Sequence, residues 1–172
     1  MERLLREIQL ALQAGLYLIA LQTCATLPDI CGALMSEDGK SSAEKYKEWY
    51  DQYAQPYLEC FLTADDCYLF RNSILHQAKT VPSPIKKQTA TYTRIVFSLP
   101  NAKTITCHNN IINDALNLDV VLFCGGMINA TKKWVEEMEK TQNTNYLKNL
   151  SNFVRLYPNG FPPYIIGIPI IT

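Results

Sequence analysis

Thr63-Ala64-Asp65-Asp66-Cys67-Tyr68-Leu69-Phe70-Arg71-Asn72-Ser73-Ile74-Leu75-His76-Gln77-Ala78 reads as one amphipathic helix. Thr63-x-x-Asp66 is a capping box, and Asp65 with Asp66 suits the positive end of the helix dipole. Cys67, Phe70, Ile74 and Ala78 recur at helical spacing and form its core stripe. The helix must stop before Pro82, which places His76 in its last turns. Its apolar stripe demands other helices to pack on, so the search moves outward in both directions.

Toward the N-terminus, Ser41-x-x-Glu44 is a second capping box and opens a helix that Pro56 ends or kinks. Tyr46, Trp49, Tyr50, Tyr53 and Tyr57 fall along one face of it. Such a row can stack bases, but core packing is the more common use. Residues 2 to about 25 form another helix, apolar in two rows, which Leu27-Pro28 breaks. Two apolar rows imply burial on two sides.

Toward the C-terminus, a Pro- and Lys-containing loop covers about 80–90. Thr91–Ser98 and Thr104–His108 are β-rich, with turn chemistry between them, and predict a β-hairpin insertion around 91–108. Leu116, Val120, Phe123, Met127, Ala130, Trp134 and Met138 then recur at helical spacing, with an Asn near 109–110 as cap. Gly125-Gly126 inside that helix costs about 1 kcal/mol per glycine relative to alanine. A close helix–helix crossing would compensate. A short helix at 144–155 follows, then a Pro158-Asn159-Gly160 turn and an apolar tail from about 157, expected to pack on the body or on a partner.

The fold class is therefore mainly α: a helical bundle with one hairpin insertion, formed by a single domain over residues 1–172. Sixteen acidic and sixteen basic side chains cancel, so no global cationic field gathers nucleic acid. Six cysteines at 24, 31, 60, 67, 107 and 124 include no C-x-x-C pair, and the histidines are His76 and His108. That spacing supports neither a disulfide framework nor a zinc site, so reduced thiols, no metal and no cofactor are expected. Early glutamates and the lack of a run long enough for a bilayer argue against a secretory or membrane segment, so a cytoplasmic chain without membrane association is expected.

Within the opening helix, Arg71-Asn72-Ser73-Ile74-Leu75-His76 places an arginine, a polar residue and then a histidine five positions on. A fixed cation beside a side chain that exchanges protons near neutral pH suits phosphodiester cleavage. The pattern resembles the signature of the HEPN (higher eukaryotes and prokaryotes nucleotide-binding) domain, a family of small helical proteins that includes metal-independent ribonucleases. The resemblance implies a HEPN-like bundle and a toxin- or defence-type endoribonuclease. Arg71 would hold the scissile phosphate, and His76 would assist proton transfer as the ribose 2′-hydroxyl attacks. Asn72 would orient His76 or the phosphate.

Residues five apart on a helix are rotated by about 140°, so Arg71 and His76 do not share a face, whereas Asn72 and His76, four apart, do. A single copy therefore makes a poor self-contained site, and a homodimer pooling two such helices around one cleft is expected, with RNA as ligand. His108, Lys79, Lys86 and Lys87 are further candidate RNA contacts. The ordinary alternatives are a histidine stabilised at a helix C-terminus, an arginine paired on the surface with Asp65, Asp66 or Glu59, and a loop or capping role for His108. The competing functional reading is a non-catalytic helical module that binds a nucleotide, an antitoxin or another protein partner.

Overall fold

The computed structural model describes residues 1–81, 92–100 and 107–172. Its helices are α1 (Glu2–Gln13), α2 (Tyr17–Met35), α3 (Ala43–Trp49), α4 (Gln55–Leu58), α5 (Ala64–Gln77), α6 (Val120–Lys140) and α7 (Thr144–Leu150). The mainly α expectation holds. α2 is the hub, packing against α1, α3, α5, α6 and α7. It runs in the same direction as α6, since Cys24 lies by Cys124 and Met35 by Trp134.

The first helical segment is two helices, which corrects the expected break at Pro28. α1 ends on Gly15 (φ +73), where Leu16 N–H donates to Ala11 and Gly15 N–H to Leu12, a Schellman closure. Pro28 instead lies buried inside α2. The helix tolerates it because tertiary packing outweighs the one backbone bond that proline cannot donate. By length and composition α2 could cross a bilayer, with a mean hydropathy of 1.4, contrary to the expectation from the sequence. It is nonetheless the helix around which the others pack, and half of that window is buried inside the fold.

α3 starts one residue later than expected. Ser42, not Ser41, accepts the Lys45 amide, which leaves the Ser41 hydroxyl for a different partner. Between α3 and α4 the chain widens into a π-helical turn at Tyr50–Ala54, just ahead of Pro56, which has no N–H to donate. Tyr46, Trp49, Tyr50 and Tyr53 are buried, and Tyr57 is exposed. Tyr46 Oη donates to the Ala25 carbonyl and Tyr50 Oη to that of Leu62, so this aromatic row is core rather than a base-stacking platform.

The sheet differs from the expected hairpin. Residues 101–106 and Thr91, which that hairpin needed, lie outside the described residues. β1 (Arg94–Ser98) pairs in parallel with β3 (Ala115–Asp119), and β2 (Asn110–Ile112) pairs antiparallel with β3, giving the order β1-β3-β2. β2 and β3 are joined by Asn113-Asp114, both at positive φ, a two-residue turn matched to strand twist. Leu116 and Leu118 therefore belong to a strand, alternating with Asn117, and α6 begins only at Val120. Its cap is Asp119, whose carboxylate accepts the Val121 and Leu122 amides. Asn109 caps no helix; its side chain bridges Phe61 N–H and the Glu59 carbonyl. The buried face of the sheet (Ile95, Leu116, Leu118) seals one side of the core, and Phe97 packs against Phe70 and Phe123.

The last helix stops at Leu150, short of the expected 155, and beyond it Arg155 pairs its backbone with Thr172 in both directions. β4 (Leu156–Tyr157) pairs with β7 (Ile170–Ile171), and β5 (Gly160–Phe161) with β6 (Ile165–Ile166). The tail thus folds on itself rather than burying its apolar side chains on the body. Tyr164, Ile166 and Ile171 are each more than 70% exposed, at 78%, 73% and 71%.

Candidate functional site

Thr63 caps α5 as the sequence requires, accepting the Asp66 amide at 3.2 Å. Cys67, Phe70 and Ile74 enter the core, while Ala78 is the exposed αL residue that ends the helix. This fixes the rotation of α5, and with it where Arg71, Asn72 and His76 stand.

Arg71 faces α2. Its Nε lies 2.6 Å from Asp29 Oδ2, and the two side chains are 21% and 13% exposed. The N–H is turned off the line to the oxygen, so the contact is an ion pair without an aligned hydrogen bond. Asp29 Oδ1 accepts from Ser41 Oγ at 2.8 Å, which is where the hydroxyl freed from capping goes. Arg71 Nη1 donates to Asn72 Oδ1 at 2.7 Å, and the guanidinium carbon stands 5.9 Å from the Tyr68 ring centre. Lys47 lies over the same ring at 5.6 Å and pairs with Asp65 at 2.7 Å.

None of the three carboxylates suggested as partners of Arg71 takes that place. Asp65 pairs with Lys47, and Asp66 is nearly buried and accepts from Tyr92 Oη at 2.6 Å. Glu59 ends α4 in the αL region. Asp29 was missed because it lies 42 residues upstream, on a helix expected to have ended. The available signal was its isolation: it is the one charged residue within the apolar sequence of α2, and a lone buried charge requires a partner.

His76 is exposed in the last turn of α5, beside the favourable negative end of the dipole, and has no side-chain partner among the described residues. Five residues of helix separate it from Arg71 by about 7.5 Å along the axis. Gln22 Nε2 donates to the Ile74 carbonyl and ties the start of α2 to this end of α5, where Leu75, Leu18 and Ile19 are exposed. Lys79 is exposed just beyond; Lys86 and Lys87 lie outside the described residues. His108 is not part of this group. Its Nδ1 accepts the Asp119 amide at 3.0 Å and supports the start of α6, as the capping alternative anticipated. Nε2 must then carry the ring proton.

Two recesses lie among the described residues away from α5. One of about 570 Å³ runs between α1 and α6, past Arg6, Lys132 and Glu136, and another of about 410 Å³ lies between α1 and the tail. Neither Arg71 nor His76 lines either of these recesses.

Burial and chemistry set the cysteines apart from this surface. Cys24, Cys31, Cys60, Cys67 and Cys124 are free and buried, and Cys107 is free and partly exposed. Burial pushes the Cys67 thiol up to about 12 and raises Cys31, and a hydrogen bond with Cys124, followed by burial, raises Cys24. A thiol so protonated is a poor nucleophile and a poor metal ligand. Among the described residues, no three histidine, cysteine or acidic side chains gather in a ligand set.

No protein-family model, no curated protein and no solved structure matches this chain.

Proposed function

We propose that the chain is a HEPN-type, metal-independent endoribonuclease of the toxin or defence kind, acting in the cytoplasm, with a site completed across a two-fold axis by a second copy. One observation carries this reading: on the same helix Arg71 is held by three neighbours while His76, one and a half turns later, is solvent-facing and has no partner among the described residues. An immobilised cation and an unengaged imidazole are the two parts that 2′-hydroxyl attack on a phosphodiester requires. His76 would move the proton, Arg71 would stabilise charge on the phosphate oxygens, and Asn72 would steady the guanidinium. The products would be a 2′,3′-cyclic phosphate and a 5′-hydroxyl. The outward rotation of His76 from Arg71 is the reason for invoking two copies, and the exposed Leu75, Leu18 and Ile19 beside it supply apolar surface for the contact.

The test is cleavage of single-stranded RNA in EDTA by the wild type, Arg71→Ala and His76→Ala, with sedimentation equilibrium to report the assembly. Cleavage slowed by about 10²–10³-fold in both variants and a dimer at micromolar concentration are expected. Wild-type protein that leaves RNA intact would sink the proposal.

A second reading rests on the Asp29–Arg71 pair. A guanidinium already neutralised by a carboxylate is less available to a phosphate, which favours a non-catalytic module that binds a nucleotide, an antitoxin or another protein partner. In that case Arg71→Ala lowers stability and leaves no nuclease phenotype to lose.

A further inference from the structure

We infer that Asp29 is a positioning residue for Arg71, fixing the guanidinium so that its outer edge, formed by Nη1 and Nη2, is presented to a phosphodiester. The inference rests on the ribonuclease reading and concerns the same site. Arg71 has five N–H donors in a planar fork. Asp29 occupies the Nε side at 2.6 Å, and Asn72 takes one Nη1 hydrogen at 2.7 Å. Nη2 has no partner among the described residues and, unlike Nε, is not among the sealed atoms. Both Nη2 hydrogens and the second hydrogen of Nη1 are left without a partner among the described residues, and N–H donors of this kind are what a guanidinium offers to phosphate oxygens.

Asp29 is itself held. Ser41 Oγ donates to its other oxygen at 2.8 Å, and Pro28 precedes it on the buried hub helix. Tyr68 supports the guanidinium from its face, with the cation 5.9 Å from the ring centre. The carboxylate therefore acts on orientation through Arg71 and touches no reacting atom. The Asp29 carboxylate lowers the net charge that Arg71 offers, but it contacts the guanidinium at Nε and leaves the Nη2 hydrogens to phosphate oxygens.

The experiment compares wild type, Asp29→Asn, Arg71→Ala and the double variant, with two readouts: kcat and KM for a single-stranded RNA oligonucleotide in EDTA, and the Arg71 Nε–H signal by nitrogen-15 NMR, assigned with Arg71→Lys. Asp29→Asn is expected to lower kcat by about tenfold or more with a smaller change in KM, and to broaden or move the Arg71 signal toward that of a free arginine. The double variant should cleave no more slowly than Arg71→Ala alone, since Asp29 acts only through Arg71. Wild-type kcat in Asp29→Asn, or a loss that adds to that of Arg71→Ala, overturns the positioning role and leaves the ribonuclease reading standing. A wild-type protein that does not cleave removes both at once. Should Asp29→Asn fail to fold, Ser41→Ala takes its place: a severalfold lower kcat and a perturbed Arg71 signal support the role, and wild-type values for both overturn it.

Discussion

Gly126 of α6 lies directly against Leu58 of α4: a Cβ placed at 126 would stand 2.6 Å from Leu58 Cδ2, whereas one placed at Gly125 would meet nothing within 4 Å. The compensating helix crossing expected for this glycine pair therefore belongs to one glycine only. Gly125→Ala should stabilise the protein by about 0.5–1 kcal/mol through helix propensity. Gly126→Ala should overpack the crossing by roughly 1–3 kcal/mol, which outweighs the same propensity gain. Urea unfolding curves that shift in opposite directions are the expected result; two shifts of equal sign would refute the asymmetry.

Arg71 and His76 should separate in stability even where both abolish activity. Arg71→Ala strands the Asp29 carboxylate in a site only 13% exposed, and a loss on the order of 3 kcal/mol follows from an uncompensated, largely buried charge. His76→Ala removes an exposed side chain without partners among the described residues and should stay within about 0.5 kcal/mol of wild type. Thermal melts of the two variants decide this, with a destabilised His76→Ala the outcome that contradicts it.

Alkaline pH should unfold this protein early. The folded state pushes Cys67 up to about 12 from 9.0 and Tyr53 to about 12 from 10.0, chiefly by burial, and raises Cys24, Cys31, Tyr46 and Tyr50 as well. For Cys24, a hydrogen bond with Cys124 leads and burial follows. The folded chain keeps these protons after the unfolded chain has released them. Their stabilising contribution is therefore intact below about pH 9 and is lost as pH rises from there toward 12. A urea midpoint that falls steadily between about pH 8.5 and 10.5 is expected, and a flat profile across that window would contradict the burial argument.

Asn149 is the joint between α7 and the end of α2. Its Nδ2 donates toward the carbonyls of Ala33, Leu34 and Ser36, the last at 2.7 Å. Asn149→Ala should cost about 1–2 kcal/mol, and Asn149→Asp more, because a carboxylate would face three carbonyl oxygens. Calorimetry on the pair gives the order directly, and Asp better tolerated than Ala would refute the assignment.

What could be read from the linear chain was local. The stripe and cap of α5 follow from Thr63, Asp66 and the spacing of Cys67, Phe70 and Ile74, because both signals act within a few residues. The start of α6 did not follow, since Leu116 and Val120 fit a helix and a strand equally well. The deciding facts were a parallel partner in β1 and a two-residue turn at Asn113-Asp114. Pro28 misled for a related reason: its penalty is local, while the packing that overrides it comes from five other helices. In the candidate site, Arg71 and His76 were legible as residue types, and their divergence followed from helical rotation alone. The isolation of Asp29 in an apolar stretch signalled a need for some partner, but that Arg71 and Ser41 fill the role was not legible, because an ion pair spanning two helices leaves no spacing rule in the sequence.

The same-direction pairing of α2 with α6 has a consequence for how the molecule is made. Asn149 and Leu34, bonded to each other, are separated by 115 positions, and Cys24 and Cys124 by 100. The most apolar helix therefore leaves the ribosome long before α6 and α7, which cover one of its sides. At about 5–20 residues per second, that side stays bare for several seconds during synthesis. In this interval α2 is a natural client for chaperones that hold apolar segments, and chains cut short before α6 should be recovered as aggregates rather than as small folded fragments.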